Sequence, residues 1–319
     1  MLKTKTGILS LLTESDFISG AELAKQLGVS RTAIWKNIQK LKEDGYNIIA
    51  VTNKGYKLLE TSDRLNETLL RAEIEKSELF ETLIYKKTID STQNHAFRIL
   101  DQHDGNIVIV SGHQSQGRGR FKREWLSPEA SGLYMSLVFR PNISNHNMIV
   151  FNLFMSLAIS ETIRETAGLN SGIKWPNDIF INDKKVCGFL TEVISTDNIV
   201  DTIVCGVGIN IKQSEETQKL GTATAIRDEL SEDHFDVNHF IGILFKKIEF
   251  YYGKFLSEPF STIKGHWLEH AVIFNRELKI TTVNETFKGK ALDITDEGYL
   301  VILTDDHNIH KVISADIEI

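Results

Sequence analysis

The sequence predicts an α+β protein with three domains: an N-terminal winged helix-turn-helix, a central mixed β-sheet with helices on one face, and a small SH3-like C-terminal β-barrel. Three observations indicate this fold class. Helical segments followed by a hairpin pattern open the chain. In the middle, strand patterns outnumber helical ones without alternating regularly, which disfavours a doubly wound sheet. Short alternating strands follow at the end. The predicted domain ranges are 1–62, 63–270 and 271–319.

The N-terminal domain is predicted as two helices joined by a glycine turn and followed by a hairpin. Ser19 has capping-box spacing for a helix over about Ala21–Leu27 that stops at Gly28, and Ser30 caps a longer helix. Apolar residues recur along one side of this second helix, namely Ile34, Ile38 and Leu41. The hairpin pattern consists of Tyr46–Val51 and Tyr56–Glu60, joined around Asn53, Lys54 and Gly55.

The outward face of the second helix is polar and basic, and we predict that it contacts DNA. Helix pairs with a glycine turn are common, so the alternative is a helical adaptor whose polar face is simply solvated. The joint occurrence of the turn, the basic face and the hairpin favours DNA binding. The residues predicted to contact DNA are Ser30, Arg31, Thr32, Trp35, Lys36, Gln39 and Lys40.

The charge distribution separates this domain from the rest of the chain. The 319 residues carry a net charge of −7, yet residues 1–66 carry +3, from ten Lys and Arg against seven Asp and Glu. A basic domain on an acidic body suggests two functions in one chain. There is no apolar run long enough for a membrane span and no signal-peptide cleavage site, and two cysteines fit a reducing compartment. We therefore expect a cytoplasmic protein.

Strand and helix patterns define the other two domains. A polar, Glu-rich segment over 61–80 is predicted as a linker that leads into a short helix. The central domain is predicted to have a long helix at about Asn147–Thr166 and strands at Leu83–Lys87, Ile107–Gly112, Leu133–Phe139, Gly172–Trp175, Ile179–Ile181, Val186–Ser195 and Asp201–Val207. The C-terminal strands are predicted at Glu277–Thr282, Thr286–Ile294, Tyr299–Leu303 and Asn308–Ile313.

A loop at residues 114–125 carries four cations and two glycines between two predicted strands. Glycines let the backbone approach an anion, and arginines offer paired donors to phosphate oxygens. Trp125, at the end of the loop, can cover an aromatic base. The composition alone leaves open a flexible basic surface loop as the alternative.

Three further clusters follow. Lys174–Asp178 reads as a tight turn, and Lys185 opens an apolar strand, which makes it a cation at the edge of a core or an ordinary lysine at a hairpin end. The cluster at 206–210 lacks the third glycine of a dinucleotide fingerprint. No Walker loop and no His/Cys set with metal spacing occurs, so no protein metal ligand is expected.

Together these motifs resemble, in order and spacing, those of the biotin protein ligases. With the winged helix, the chain resembles the bifunctional class that combines biotin ligase with biotin operon repressor, and the resemblance covers essentially the whole chain. The motifs that carry it are Thr88-Ile89-Asp90-Ser91-Thr92, Gln114, Gly117-Arg118-Gly119-Arg120, Lys174-Trp175-Pro176-Asn177-Asp178, Lys185-Val186-Cys187-Gly188 and Gly206-Val207-Gly208-Ile209-Asn210.

The resemblance implies a biotin/lipoate ligase-like central fold and an ATP-dependent, AMP-forming ligase. Such an enzyme makes biotinyl-5′-AMP from biotin and ATP with Mg²⁺, and transfers biotin to a lysine of a biotin carboxyl carrier domain. It also implies a homodimer that binds operator DNA and represses biotin genes, with biotinyl-5′-AMP as corepressor. The alternatives are a DNA-binding sensor without catalysis, which the set of Arg118, Arg120 and Lys185 disfavours, and a lipoate–protein ligase.

The resemblance also assigns roles to individual residues. The catalytic cations, which bind phosphate and carboxylate, are Arg118, Arg120 and Lys185, and Gly119 belongs to the same ligand-covering loop. The biotin ring system and carboxylate region are held by Ser91, Thr92, Gln93 and Gln114, and the adenine is contacted by Trp125 and Asn210. Many family members have Asn where this chain has Gln93, so either Gln93 or the following Asn94 takes that role.

Overall fold

The computed structural model describes residues 2–12, 16–43, 46–60, 65–144, 148–231 and 235–318. These residues form two compact units. The first contains the chain up to residue 76 together with 234–242, and the second contains 77–233 and 243–319. In the first unit the elements are α1 (Leu2–Leu11), α2 (Gly20–Leu27), α3 (Arg31–Glu43), β1 (Asn47–Val51), β2 (Gly55–Glu60) and α4 (Glu67–Ile74).

The first unit has the predicted winged helix-turn-helix order, and serine side chains cap the starts of α2 and α3. Ser19 Oγ accepts a hydrogen bond from Glu22 N, and Ser30 Oγ accepts one from Ala33 N, both at 3.1 Å. The Glu22 carboxylate accepts from Gln26 Nε2, one turn further along the helix. Gly28 has a φ of 63°, the left-handed conformation that ends α2 where the sequence predicts it.

One apolar core holds these helices and the hairpin together. The stripe on α3 is completely buried and packs with residues of α1, α2 and both strands; its members are Ile34, Ile38 and Leu41. In the β1–β2 turn, Gly55 has a φ of 110°, and a Cβ there would lie 2.2 Å from the Ile18 carbonyl oxygen. Glycine is therefore required where the hairpin crosses the segment before α2.

The second unit is built on an eight-stranded sheet, with strand order β3-β4-β5-β10-β9-β8-β7 and β6 added beside β10. β3 and β4 are parallel and the other pairs are antiparallel, so the predicted mixed sheet is confirmed. The strands are β3 (Thr82–Lys86), β4 (Ile107–Ser111), β5 (Gly132–Phe139), β6 (Ile143–Ser144), β7 (Gly172–Lys174), β8 (Asp178–Ile181), β9 (Lys184–Thr196) and β10 (Ile199–Asn210).

The long helices cover one face of this sheet. Phe139 of β5 points to that face, where its ring lies 5.5 Å from Phe151 and 4.6 Å from Tyr252, centroid to centroid. The neighbouring Val138 points to the other face and packs with Ala96 of a short helix. The helices are α5 (Thr92–Ile99), α6 (Met148–Ala167), α7 (Glu215–Lys219), α8 (Val237–Ser257) and α9 (Ser261–His270).

The helices on one face are thus the long α6 and α8, while α5 lies on the opposite face, where the cavity described below opens. The predicted long helix over 147–166 is α6, although Asn147 lies outside the described residues. No helix among the described residues has the length and apolar character needed to cross a membrane.

The C-terminal domain is a five-stranded antiparallel sheet with order β14-β13-β12-β11-β15. The four predicted strands are present, and the fifth has only three residues. The strands are β11 (Glu277–Thr281), β12 (Thr286–Ile294), β13 (Leu300–Thr304), β14 (Ile309–Val312) and β15 (Asp316–Glu318). Trp175, buried in the central domain, donates from Nε1 to the Gly298 carbonyl oxygen at 3.0 Å and so ties the two domains together.

Candidate active site

Glycines on two neighbouring strands leave part of the sheet without side chains. Gly206 and Gly208 are two residues apart on β10, so they face the same side, and Gly188 of β9 pairs directly with Gly208. A Cβ at Gly208 would lie 2.3 Å from the Trp125 ring, and one at Gly206 would lie 2.5 Å from Gln93 Oε1. Only glycine fits at these two positions, because other side chains already lie against the backbone there.

A cavity of about 420 Å³ opens above this glycine floor, a size suited to a small-molecule ligand. All ten residues that the sequence analysis predicts as ligand-binding line it, although they come from five separate stretches of the chain. They are Ser91, Thr92, Gln93, Gln114, Arg118, Gly119, Arg120, Trp125, Lys185 and Asn210. The structure therefore brings the predicted set together in one place.

One wall of the cavity is a preorganised network of polar side chains. Gln114 Oε1 accepts from Thr92 N at 2.8 Å and from Thr92 Oγ1 at 3.0 Å, and Gln114 Nε2 donates to Ser127 Oγ at 2.9 Å. Ser136 Oγ, behind them, donates to Thr92 Oγ1 at 2.9 Å. These bonds fix the start of α5 against β5, so the wall is formed before any ligand arrives.

The position of Gln93 bears on the choice between Gln93 and Asn94. Gln93 is 3% exposed and lines the cavity. Its Nε2 donates to Glu192 Oε2 and to the Val204 carbonyl, both at 3.0 Å, and its Oε1 accepts from Ser136 Oγ at 3.1 Å. Asn94 is not among the residues found to line the cavity in the described part of the chain, and its side chain bonds Asp90 instead.

The Gly/Arg-rich loop folds back on itself over the cavity. Gly119 N donates to the Arg123 carbonyl at 2.8 Å, and Trp125 N donates to the Gly117 carbonyl at 2.9 Å. Phe121 at the loop tip has a φ of 54°, a conformation that is strained for an aromatic residue. Trp125 Nε1 is buried and has no hydrogen-bond partner among the residues that the structure describes.

The cations around the cavity are each held by a protein oxygen. Lys185 Nζ lies 2.7 Å from Asp178 Oδ1 and 5.4 Å from the Trp125 ring centroid. Arg118 Nη2 lies 3.1 Å from Glu192 Oε2. The two carboxylates offset the repulsion between the neighbouring cations and so hold both cations beside the cavity. A bound anion would therefore find these donors already in place.

Arg120 and the nearby Arg123 connect the loop to the C-terminal domain. Arg120 donates to Asn177 Oδ1 at 2.8 Å and to Ser314 Oγ at 3.1 Å, and burial lowers the pKa of its guanidinium. Arg123 donates to the Asp316 carboxylate. Burial is the largest single influence and would raise the pKa of Asp316, but the Arg123 hydrogen bond and the positive charges of Arg123, Lys174 and Arg120 together outweigh it and lower that pKa. The loop is therefore fixed to a domain that lies 194 residues further along the chain.

Sequence reasoning missed the acidic partners and the role of the glycines. Asp178 belongs to the motif at 174–178, but nothing in the sequence pairs it with Lys185, and nothing pairs Glu192 with Arg118. Asp316 gives no local signal at all. The alternation of Gly206 and Gly208 is readable, because glycines two apart on a strand mark a bare face.

The predicted DNA-contacting residues lie together on α3 and its N-cap in the first unit. Of the six that lie on α3 itself, four are exposed, with Trp35 at 54%, and the two nearest the end of the helix are half-buried. The exposed four are Arg31, Thr32, Trp35 and Lys36, and the half-buried two are Gln39 and Lys40. Ser30 is exposed as well, and its hydroxyl caps the helix.

Three protein families match consecutive parts of the chain. Residues 5–57 match an HTH domain, residues 84–210 match the Biotin/lipoate A/B protein ligase family, and residues 273–319 match the Biotin protein ligase C terminal domain. All ten predicted ligand-binding residues lie within the second of these matches.

Whole proteins with the same organisation are also similar. The chain is 36% identical to the bifunctional ligase/repressor BirA of Bacillus subtilis over 312 residues, 96% of this chain and 94% of that protein. It is 26% identical to BirA of Escherichia coli K12 over 298 residues, 93% of this chain and 92% of that one. The biotin protein ligase of Aquifex aeolicus, solved with biotin and ATP, matches with a TM-score of 0.64 and 29% identity over 75% of this chain and 98% of that chain.

The anchoring of the loop predicts a measurable effect of Asp316→Asn. Losing the charge on a partly exposed pair should cost about 1 kcal/mol, so cleavage by trypsin within residues 118–123 should become about fivefold faster. The rate is read from the fragments by mass spectrometry. Asp293→Asn, which removes the partner of Lys264 elsewhere in the same domain, is the control and should leave the rate unchanged. Equal rates for both variants would contradict the anchoring.

Proposed function

The chain belongs to the bifunctional ligase/repressor class of the biotin protein ligases, and we propose that it makes biotinyl-5′-AMP from biotin and ATP in the glycine-floored cavity. It then transfers biotin to a lysine of a biotin carboxyl carrier domain. Its N-terminal domain represses biotin genes, with biotinyl-5′-AMP as corepressor. All of this takes place in the cytoplasm, where ATP, the carrier and DNA are together.

The observation that carries the proposal is the convergence of Arg118, Arg120 and Lys185 on one cavity with a polar wall. Biotin presents a carboxylate and ATP presents phosphates, so two anions must approach each other closely. Fixed cations offset that repulsion and stabilise the charge that builds on the phosphoryl oxygens.

The reaction needs no covalent bond to the enzyme. A carboxylate oxygen of biotin attacks the α-phosphorus of ATP, and pyrophosphate leaves. The amine of the carrier lysine then attacks the carbonyl carbon of the mixed anhydride, loses a proton and releases AMP. Mg²⁺ enters with ATP as part of the substrate, and the Asp178 carboxylate in the cavity wall is the kind of oxygen donor that this ion takes.

The two ends of the cavity suit the two halves of the intermediate. Gln114, Thr92 and Ser91 form the polar wall and would hold the biotin ring system. Trp125 and Asn210 lie on the glycine floor and would hold adenine, since an indole ring offers a stacking face. Gln93 already uses its amide on protein partners, so we assign it the role of fixing Ser136 and Glu192 beside the ligand.

The loop protects the intermediate from water. An acyl-adenylate is hydrolysed readily, so it has to stay enclosed until the carrier lysine arrives. The loop from Gly117 to Trp125 already covers the cavity and is fixed to the C-terminal domain by Arg120 and Arg123. We therefore assign the C-terminal domain the role of holding the loop closed.

Repression follows from the same intermediate. The first 66 residues carry a net charge of only +3, which is too little for one copy to hold DNA tightly. Two copies joined as a homodimer would present two α3 helices to two operator half-sites. If the adenylate favours the dimer, operator binding reports the supply of biotin.

The ligase proposal is tested by incubating the protein with MgATP, a biotin carboxyl carrier domain, and either biotin or lipoate. We expect the carrier to gain the mass of one biotinyl group with biotin only. Mass gain with lipoate only would show a lipoate ligase, and no gain with either would show a sensor without catalysis. A carrier whose acceptor lysine is replaced by arginine is the control.

Lys185→Ala should lower the rate of adenylate formation about 100-fold, the scale expected when one donor to a developing charge is removed. The measurement is biotin-dependent pyrophosphate release. The neighbouring Lys184 is exposed, so Lys184→Ala is a matched control that should keep the wild-type rate. Thermal unfolding checks that both variants fold. Full activity of folded Lys185→Ala would remove Lys185 from the site.

The repressor proposal predicts that biotinyl-5′-AMP raises operator affinity at least about tenfold and promotes dimerisation over the same concentration range. Gel-shift titrations on DNA upstream of a biotin biosynthesis operon, with sedimentation in parallel, measure both. Lys36→Ala should weaken DNA binding and reduce its salt dependence while leaving ligase activity intact. Equal operator affinity of the unliganded monomer and the loaded protein would contradict the proposal.

A further inference from the structure

Three side chains of the kind that bind transition metals meet away from the cavity. Glu161 lies on α6, and His266 and His270 lie on α9; one ligand atom from each lies within 4.8 Å of the others. None of the three lines the cavity. His266 and His270 are four residues apart, but Glu161 lies 105 residues from His266 along the chain, so the sequence shows no complete ligand set and predicts no protein metal ligand.

We propose that Glu161, His266 and His270 form a binding site for a divalent transition metal ion, with Zn²⁺ as the best-suited ion. Two histidines four residues apart lie on the same side of a helix, and their ring centroids are 4.8 Å apart. Two imidazoles and one carboxylate are a donor set that Zn²⁺ takes in proteins, with water in the fourth position.

The hydrogen bond within the cluster shows how the ion is accommodated. His266 Nε2 lies 2.6 Å from Glu161 Oε1, a contact that is favourable with the imidazole proton on Nε2. With the proton on Nδ1 instead, both facing atoms are lone-pair donors, and only a cation between them makes the contact favourable. His266 Nδ1 faces the Glu269 carboxylate at 3.5 Å, which gives the moved proton an acceptor.

Further contacts orient the other ligands, as protein metal sites require. Ser160 Oγ lies 3.1 Å from His270 Nδ1 and holds that ring within the buried interface of α6 and α9. Tyr251 OH donates to Glu161 Oε1 at 2.6 Å and fixes the carboxylate from α8. The site is thus held from three helices before the ion enters.

The charged groups around the cluster favour a bound cation. Lys247 Nζ lies 3.0 Å from Glu161 Oε2 but also 3.1 Å from Glu165, so its charge is shared between two carboxylates. Arg164 is the other nearby cation, and its guanidinium donates to the Ser171 carbonyl. Glu269 lies beside His266, so three carboxylates, those of Glu161, Glu165 and Glu269, stand against two cations around the cluster, and the surroundings are net negative.

The ion would join the long helix behind the sheet to the segment that leads into the C-terminal domain. α9 ends at His270, and the next residue, Ala271, forms a bridge with Ile173 on β7. β7 in turn leads directly into the turn that contains Asn177, and Asp178 follows as the first residue of β8. The site therefore stabilises the frame of the cavity and takes no part in its chemistry, and it stands whether or not the proposed ligase reaction is correct.

The test is a Zn²⁺ titration of the full chain, stripped with a chelator and free of nucleotide, in competition with a chromophoric zinc indicator. We expect one equivalent to bind wild type, and binding at least about tenfold weaker for His266→Ala and for His270→Gln. His239→Ala removes an exposed histidine outside the cluster and should bind as wild type does. Co²⁺ should give the visible absorption of a low-coordinate nitrogen–oxygen site in wild type only.

The controls separate loss of the site from loss of the fold. His266 is 43% exposed, so its truncation should leave the circular dichroism and thermal unfolding of the zinc-free protein unchanged. Zn²⁺ should raise the Tm of wild type and His239→Ala but not of His266→Ala. Absence of a tight equivalent in wild type, or equal affinity in all four proteins, would overturn the proposal.

Discussion

The pairing of β9 with β10 is the constraint on which the rest of the site depends. Their register places Gly188 opposite Gly208, and Gly206 two residues away on the same face, so the sheet has a strip of bare backbone. Trp125 and Gln93 lie against that strip in space that any side chain would fill. A shift of one residue would turn Cys205, Val207 and Ile209 into the cavity and close it.

How much could be predicted from the sequence follows from the range of each interaction. The winged helix depends on caps and stripes within a few residues, so Ser30, Gly28 and Ile38 were sufficient to predict it. The basic loop was recognisable for the same reason. The acidic partners Glu192 and Asp316 are not predicted, because the two members of an ion pair have no fixed separation along the chain. The three-residue β15 was missed, since so short a strand has no measurable alternation.

Two cations of the site form ion pairs with protein carboxylates in the absence of a ligand. Arg118 and Lys185 rest on Glu192 and Asp178, so the unliganded cavity is close to neutral despite its cations. A phosphate or carboxylate that binds here has to displace these contacts. The affinity for the ligand is then set by how much more favourable its ion pairs with the cations are than the ion pairs within the protein that they replace. The wall formed by Thr92 and Gln114 carries no charge, so it takes no part in this exchange of ion pairs.

The contacts of Arg120 with Ser314 and of Arg123 with Asp316 have a consequence for synthesis of the protein. The sheet, the glycine floor and the basic loop are all translated well before residue 314. During that interval the loop has no anchor, because its partners do not yet exist. The floor of the cavity and the loop beside it are therefore complete before the residues that anchor the loop, and in a growing chain the loop stays unanchored until the C-terminal domain has been made.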